Sequence, residues 1–172
     1  MGTYFAVPLA GQIHEGVRFH EQDCRTLLDK MFEMIVGLRL PEACYLVLDK
    51  YYCSGKFMKQ LIVKNIHIVT MMKKNAVAYF PAVKEETKKR GRPAKYGKKL
   101  KLFSLFNQEQ NWLQATMPHN PSIMIEYCCV ELFWRPLGDL ALFVLTRHPT
   151  KGHAIVMSTD RAADPLSLIG IS

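Results

Sequence analysis

The chain has 172 residues, 49% of them hydrophobic and 22% charged, and a formal net charge of +8. That suits one globular domain with a core of its own. It holds no run of about 18 apolar residues, so no membrane span is expected, and its five cysteines, odd in number and without a CxxC pair, argue against a metal or disulfide framework and for free thiols in a reducing cytosol.

The start, Met1-Gly2-Thr3-Tyr4, has no charged leader before an apolar core, so no secretory signal is expected. Tyr4 to Ile13 reads as a strand bent at Pro8, which lacks a donor and so belongs at an edge or a bulge. His14-Glu15-Gly16 is a polar turn. From Gln22 to Leu38 the apolar residues Leu27, Leu28, Met31, Phe32, Ile35 and Val36 recur at three- and four-residue spacing, which predicts an amphipathic helix. Gly37 and Pro41 end it.

Cys44 to Met72 is the centre of the chain. Cys44-Tyr45-Leu46-Val47-Leu48 is a continuous apolar run, expected of a strand buried on both faces of a parallel sheet. Asp49 follows at once. Ser54 is placed to cap a helix with Phe57, Met58, Leu61 and Ile62 on its apolar side. Asn65 breaks it, and Ile66 to Met72 gives a second strand. A crossover of this kind sets the two strands parallel, with Asp49 at the carboxyl end of the first, where open α/β sheets bind ligands. An aspartate there has a plainer alternative, as a turn residue or cap. Lys73 and Lys74 come just past the second strand, on the same rim as Asp49. They suit phosphate contacts or, alternatively, a solvated turn.

The charge is concentrated in one place. Between Lys84 and Lys101 nine basic residues face two acids, a net +7 out of the chain's +8. Such concentration points to a polyanion. The run includes Lys88, Lys89, Arg90, Gly91, Arg92, Pro93, Lys95, Lys98 and Lys99. Its centre, Arg90-Gly91-Arg92-Pro93, is the core of an AT-hook. Gly91 and Pro93 keep the backbone extended and narrow, so both arginines can enter a narrow A·T minor groove, while the lysines reach phosphates. A solvated loop that touches nothing is the alternative.

From Lys99 to Asp160 the chain reads as β-rich. Strands are expected at Trp112–Met117, Ile123–Trp134, Leu140–Thr146 and Ala154–Ser158, separated by Pro- and Gly-containing turns. Trp112 and Trp134 read as core, and His119, His148 and His153 as surface residues. Asp164 and Pro165 open a short final helix carrying Leu166, Leu168 and Ile169.

Four stretches, YLVLDKYYCSGKF, IHIVTMMKKNAVAY, KKRGRPAKYGKK and HPTKGHAIVMSTD, together resemble the DDE transposases of bacterial insertion sequences. The resemblance implies a partial RNase H-like α/β fold: a strand-helix-strand core around Asp49, a basic AT-hook-like loop over residues 84–101 and a β-rich insertion over 102–153, within one incomplete catalytic domain spanning 1–172. It implies that Asp49 is the second acid of the catalytic triad and a ligand of Mg²⁺ or Mn²⁺, that the partner is DNA (element ends and A·T-rich minor groove), and that the protein acts in the bacterial cytoplasm, at the nucleoid. Oxygen ligands suit these hard cations. In such enzymes two ions activate the attacking oxygen and stabilise the leaving one at a phosphodiester. The first acid of the pattern belongs upstream of Tyr4 and the third beyond Ser172. Asp160, Asp139 and Glu126 match no triad position. The expectation is therefore an internal piece of a transposase, inactive by itself. A second expectation is a small DNA-binding protein that uses Arg90 and Arg92 without chemistry. A third, an unrelated nucleotide-binding α/β protein, lacks a Gly-rich loop between a strand and a helix.

Overall fold

A computed structural model describes residue 10 and residues 25–41, 44–82 and 94–171. The expected strand at Tyr4–Ile13 and the loop residues Lys88 to Pro93 lie outside the described residues.

The first helix, α1, spans Leu27–Gly37. Thr26 caps it: its hydroxyl accepts the Asp29 N–H, and the Asp29 carboxylate accepts the Thr26 N–H in return. The helix thus begins at a capping box, later than Gln22. Ile35 is buried, while Leu28, Met31 and Phe32 are half-buried against the same core.

The strand-helix-strand unit is as the pattern predicts. Strand β1 (Tyr45–Leu48), helix α2 (Gly55–Val63) and strand β2 (His67–Met71) follow in order, and β1 pairs with β2 in parallel, with Tyr45 opposite His67 and Leu48 opposite Thr70. Ser54 occupies the cap of α2, yet its side chain makes no capping hydrogen bond. Asn65, at φ 58°, takes the left-handed conformation that ends the helix. Phe57, Met58 and Leu61 are buried against the sheet, whereas Ile62 faces outward.

Burial of β1 on both faces is overturned. Tyr45 and Val47 are 44% and 48% exposed, and only Leu48 is buried. The reason is position. The sheet order is β1-β2-β8-β7-β6-β3-β4, with β5 beside β6, so β1 is terminal among the described strands. The strand buried on both faces is β7 (Asp139–His148), where Ala141 to Thr146 are all buried. The other strands are β3 (Val77–Pro81), β4 (Tyr96–Lys101), β5 (Leu113–Met117), β6 (Asn120–Trp134) and β8 (Gly152–Ser158). All their pairings are antiparallel, including β2 with β8. The architecture is mixed α/β, as expected, with a mostly antiparallel sheet that is consistent with part of an RNase H-like fold.

Two apolar clusters cover opposite faces. The larger joins α1, α2 and the 3-10 turn at Leu102–Asn107 to Ile68, Phe143, Leu145, Ile155 and Met157. The smaller joins Leu168 and Ile169 of α3 (Pro165–Ile171) to Val69, Leu142, Val144 and Val156. Strand β6 serves both. Ile123, Ile125 and Tyr127 pack toward α3, and Val130, Leu132 and Trp134 toward the larger cluster. Alternation places these two sets on opposite faces, so the buried face of this strand changes midway.

Candidate active site and nucleic-acid interface

Asp49 leaves the carboxyl end of β1 and is exposed. Its Oδ1 accepts the Tyr51 N–H at 2.8 Å and caps the 3-10 turn Lys50–Tyr52. The capping role that any strand-end aspartate can play is therefore present here.

Because Leu48 stands opposite Thr70, Asp49 and the Lys73-Lys74 turn leave the sheet on one rim, and both lysines are exposed. Cys53 lies between them, with Sγ 3.2 Å from the Thr70 hydroxyl. Burial pushes its thiol pKa up; the Thr70 hydrogen bond and the Lys73 ammonium oppose this, and the Asp49 carboxylate adds to it. A thiol held protonated is a poor nucleophile. A cleft of about 210 Å³ opens at this rim, lined in part by Lys50, Tyr51, Cys53, Lys73, Asn75 and Trp134. Asp49 stands beside the cleft rather than in its lining. Two lysines and no carboxylate line it, which suits an anion better than a cation.

Among the described residues the donors around Asp49 do not complete a divalent-metal centre. Two-ion chemistry needs several oxygen ligands, and among the described residues no group of three or more His, Cys, Asp or Glu could hold a metal ion. The other acids weighed from the sequence are engaged elsewhere. Asp160 follows β8, which runs against β2, and so lies by His67 on the rim opposite Asp49. Glu126 pairs with Arg147 at 3.1 Å, and Asp139 accepts the Leu140 N–H at 2.8 Å.

Of the basic stretch, Lys95, Lys98 and Lys99 are described, and all three are exposed. Lys98 and Lys99 lie on β4, the last strand at that side of the described sheet. The pairing Val77 with Lys101 brings the far end of β4 beside the start of β3, immediately after the Lys73-Lys74 turn. Exposed cations therefore run from the cleft along β4 to Lys95. Sequence reasoning missed Lys50 in the cleft wall, although its place directly after Asp49 was a usable signal.

Trp134 is buried, as expected, while Trp112 is half-buried beneath Arg147. His119 and His153 are exposed, but His148 is half-buried, with Nδ1 accepting the N–H groups of Thr150 and Lys151.

A parallel strand-helix-strand unit with an acid at its carboxyl end, set in a mixed sheet with helices on both faces, makes an α/β domain consistent with part of an RNase H-like fold. The family model described as DDE superfamily endonuclease matches residues 9–124, well over half of the chain. The chain belongs to that family. No curated protein and no solved structure matches it. No helix among the described residues is long and apolar enough to cross a membrane.

Proposed function

We propose that the chain binds DNA as a transposase of this family and that Asp49 is one acid of its strand-cleavage centre. The observation that carries the reading is the shared rim. The parallel β1–β2 pair sets Asp49 beside Lys73 and a lysine-lined cleft, within a chain whose family implies a DNA substrate. The lysines of the cleft would hold a backbone phosphate, with Asp49 beside it on the same rim. Asp49 is the residue through which Mg²⁺ or Mn²⁺ would be held, together with further oxygen donors that the described residues do not bring to it. Cleavage by this chain alone is not expected. The basic loop over 84–101 binds A·T-rich duplex through Arg90 and Arg92, and the β-rich segment over 102–153 supplies β5, β6 and β7 of the sheet. The DNA sites are element ends, in the bacterial nucleoid.

The test is nicking of supercoiled DNA with Mg²⁺ or Mn²⁺ by the natural chain, Asp49→Ala and Arg92→Ala. The expected result is salt-sensitive binding weakened by Arg92→Ala, without nicking. Metal-dependent nicking abolished by Asp49→Ala would establish a complete centre and refute the inactive reading. Absence of salt-sensitive binding would refute the DNA reading. The non-catalytic binding protein remains the second reading, supported by the cap that Asp49 provides. It predicts that Asp49→Asn leaves every DNA transaction unchanged.

A further inference from the structure

Two cations from distant parts of the chain meet over the turn between β6 and β7. Gly138, at φ 74°, sits in that turn. The point a Cβ on Gly138 would occupy is 3.5 Å from the Lys59 Nζ of α2 and 4.0 Å from the Lys95 Nζ that leads into β4. Neither lysine has an ion-pair partner among the described residues. The neighbouring acid, Asp139, spends Oδ1 on the Leu140 N–H. Converging like charges repel, and a shared anion relieves the repulsion. Both lysines are exposed, so an incoming group reaches them without rearrangement. A Cβ at position 138 would meet both lysine ends only at ordinary van der Waals distance, so it is the positive φ that favours glycine there.

We propose that Lys59 and Lys95 form a two-point clamp for a backbone phosphate of duplex DNA across Gly138. The inference rests on the reading that DNA is the polyanion bound. It deepens that reading by placing a contact outside the RGRP core and on the α2 side of the fold. Lys95 continues the line of Lys98 and Lys99 on β4, while Lys59 turns it toward the helix that follows Asp49. The clamp thus connects the loop's cations to the helix that begins beside the cleft. It reads charge and not base identity, since phosphates carry no sequence information.

The experiment measures duplex affinity against salt for the natural chain, Lys59→Ala, Lys95→Ala, the double variant, a double Lys→Arg variant, and Lys151→Ala as an exposed control. Each phosphate contact contributes about 0.9 to the slope of log K against log salt. The double Ala variant is expected to lose about 1 from that slope, since the two lysines share one phosphate. It should also weaken binding by about tenfold at low salt, equally on A·T-rich and mixed duplexes, with an unchanged Tm. The Arg pair should restore the slope, and Lys151→Ala should leave it unaltered. Arg92→Ala, by contrast, should weaken A·T-rich duplex selectively. A slope unchanged in the double Ala variant, with Arg92→Ala still weakening binding, overturns the clamp and leaves the DNA reading standing. A natural chain without salt-sensitive duplex binding overturns both.

Discussion

Tyr45 donates its hydroxyl to the Asp160 carboxylate, tying the start of β1 to the chain after β8 across the strand between them. The bond holds the carboxyl below its ordinary pKa and pushes the phenol up to about 12. Tyr45→Phe removes the donor while keeping the ring that packs near His67. Hydrogen bonds to charged groups contribute about 1.5–3 kcal/mol when sheltered, and exposure reduces that here to about 1 kcal/mol. The expected result is a lowered urea midpoint at neutral pH with an unchanged m-value.

Acid titration should weaken the fold in a defined window. The Thr26 hydrogen bonds, reinforced by Lys56, hold Asp29 at about 2 against a usual 3.8, and Asp160 is also depressed, chiefly by Tyr45. Carboxylates with lowered folded pKa values contribute stability above their unfolded values and lose it as pH falls through the folded ones. Stability should therefore be full above about pH 5 and decline toward pH 2. Tyr45 works in the opposite sense on the alkaline side, where its contribution is full below pH 10 and lost as pH rises through about 12. Thermal unfolding followed across pH 2 to 7 checks the acid limb. In Asp29→Asn its slope should be shallower.

Gly55 opens α2, where alanine would ordinarily favour a helix by about 1 kcal/mol. A Cβ there would collide with the Pro136 carbonyl of the β6–β7 turn. The sign reverses, and Gly55→Ala should destabilise by about 1–3 kcal/mol. Gly37→Ala is the comparison, because a Cβ there meets nothing within 4 Å. Equal stability of the two variants would contradict the close approach.

Arg147 donates through Nη2 to the Phe106 carbonyl at 2.8 Å and through Nη1 to Glu126 at 3.1 Å, while its guanidinium lies 3.9 Å from the Trp112 ring centre. A lysine keeps the charge but cannot meet all three partners. Arg147→Lys should cost about 1–2 kcal/mol. It should also shift Trp112 emission, which chemical denaturation followed by fluorescence will report.

Much of the centre of the fold was legible because it is local. Asn65 ends a helix by its own backbone preference, Asp49 follows an apolar run, and Phe57, Met58 and Leu61 share one helical stripe. What could not be read was global. Nothing between Cys44 and Leu48 says that β1 would be terminal among the described strands, since exposure of Tyr45 and Val47 depends on which strands assemble beside it. For the same reason the run resembles a doubly buried strand, a role that β7 fills. The start of α1 was misplaced because Thr26-x-x-Asp29 is a reciprocal cap with an acid one carbon shorter than the usual glutamate. Of the site, the rim shared by Asp49 and Lys73 followed from strand order. Lys59 did not, because its partner Lys95 is far away in sequence and the turn that joins them lies farther still.

The change of buried face along β6 has a consequence for how the molecule comes apart. One continuous strand anchors both apolar clusters, and β7 beside it is sealed on both sides. Neither cluster can melt and leave the other intact, because releasing either frees the ladder that aligns both. The two halves are therefore expected to unfold as a single cooperative unit, with coincident transitions by independent probes. Their slowest-exchanging amides should lie along the β6–β7 ladder, where local opening and global unfolding have the same free energy.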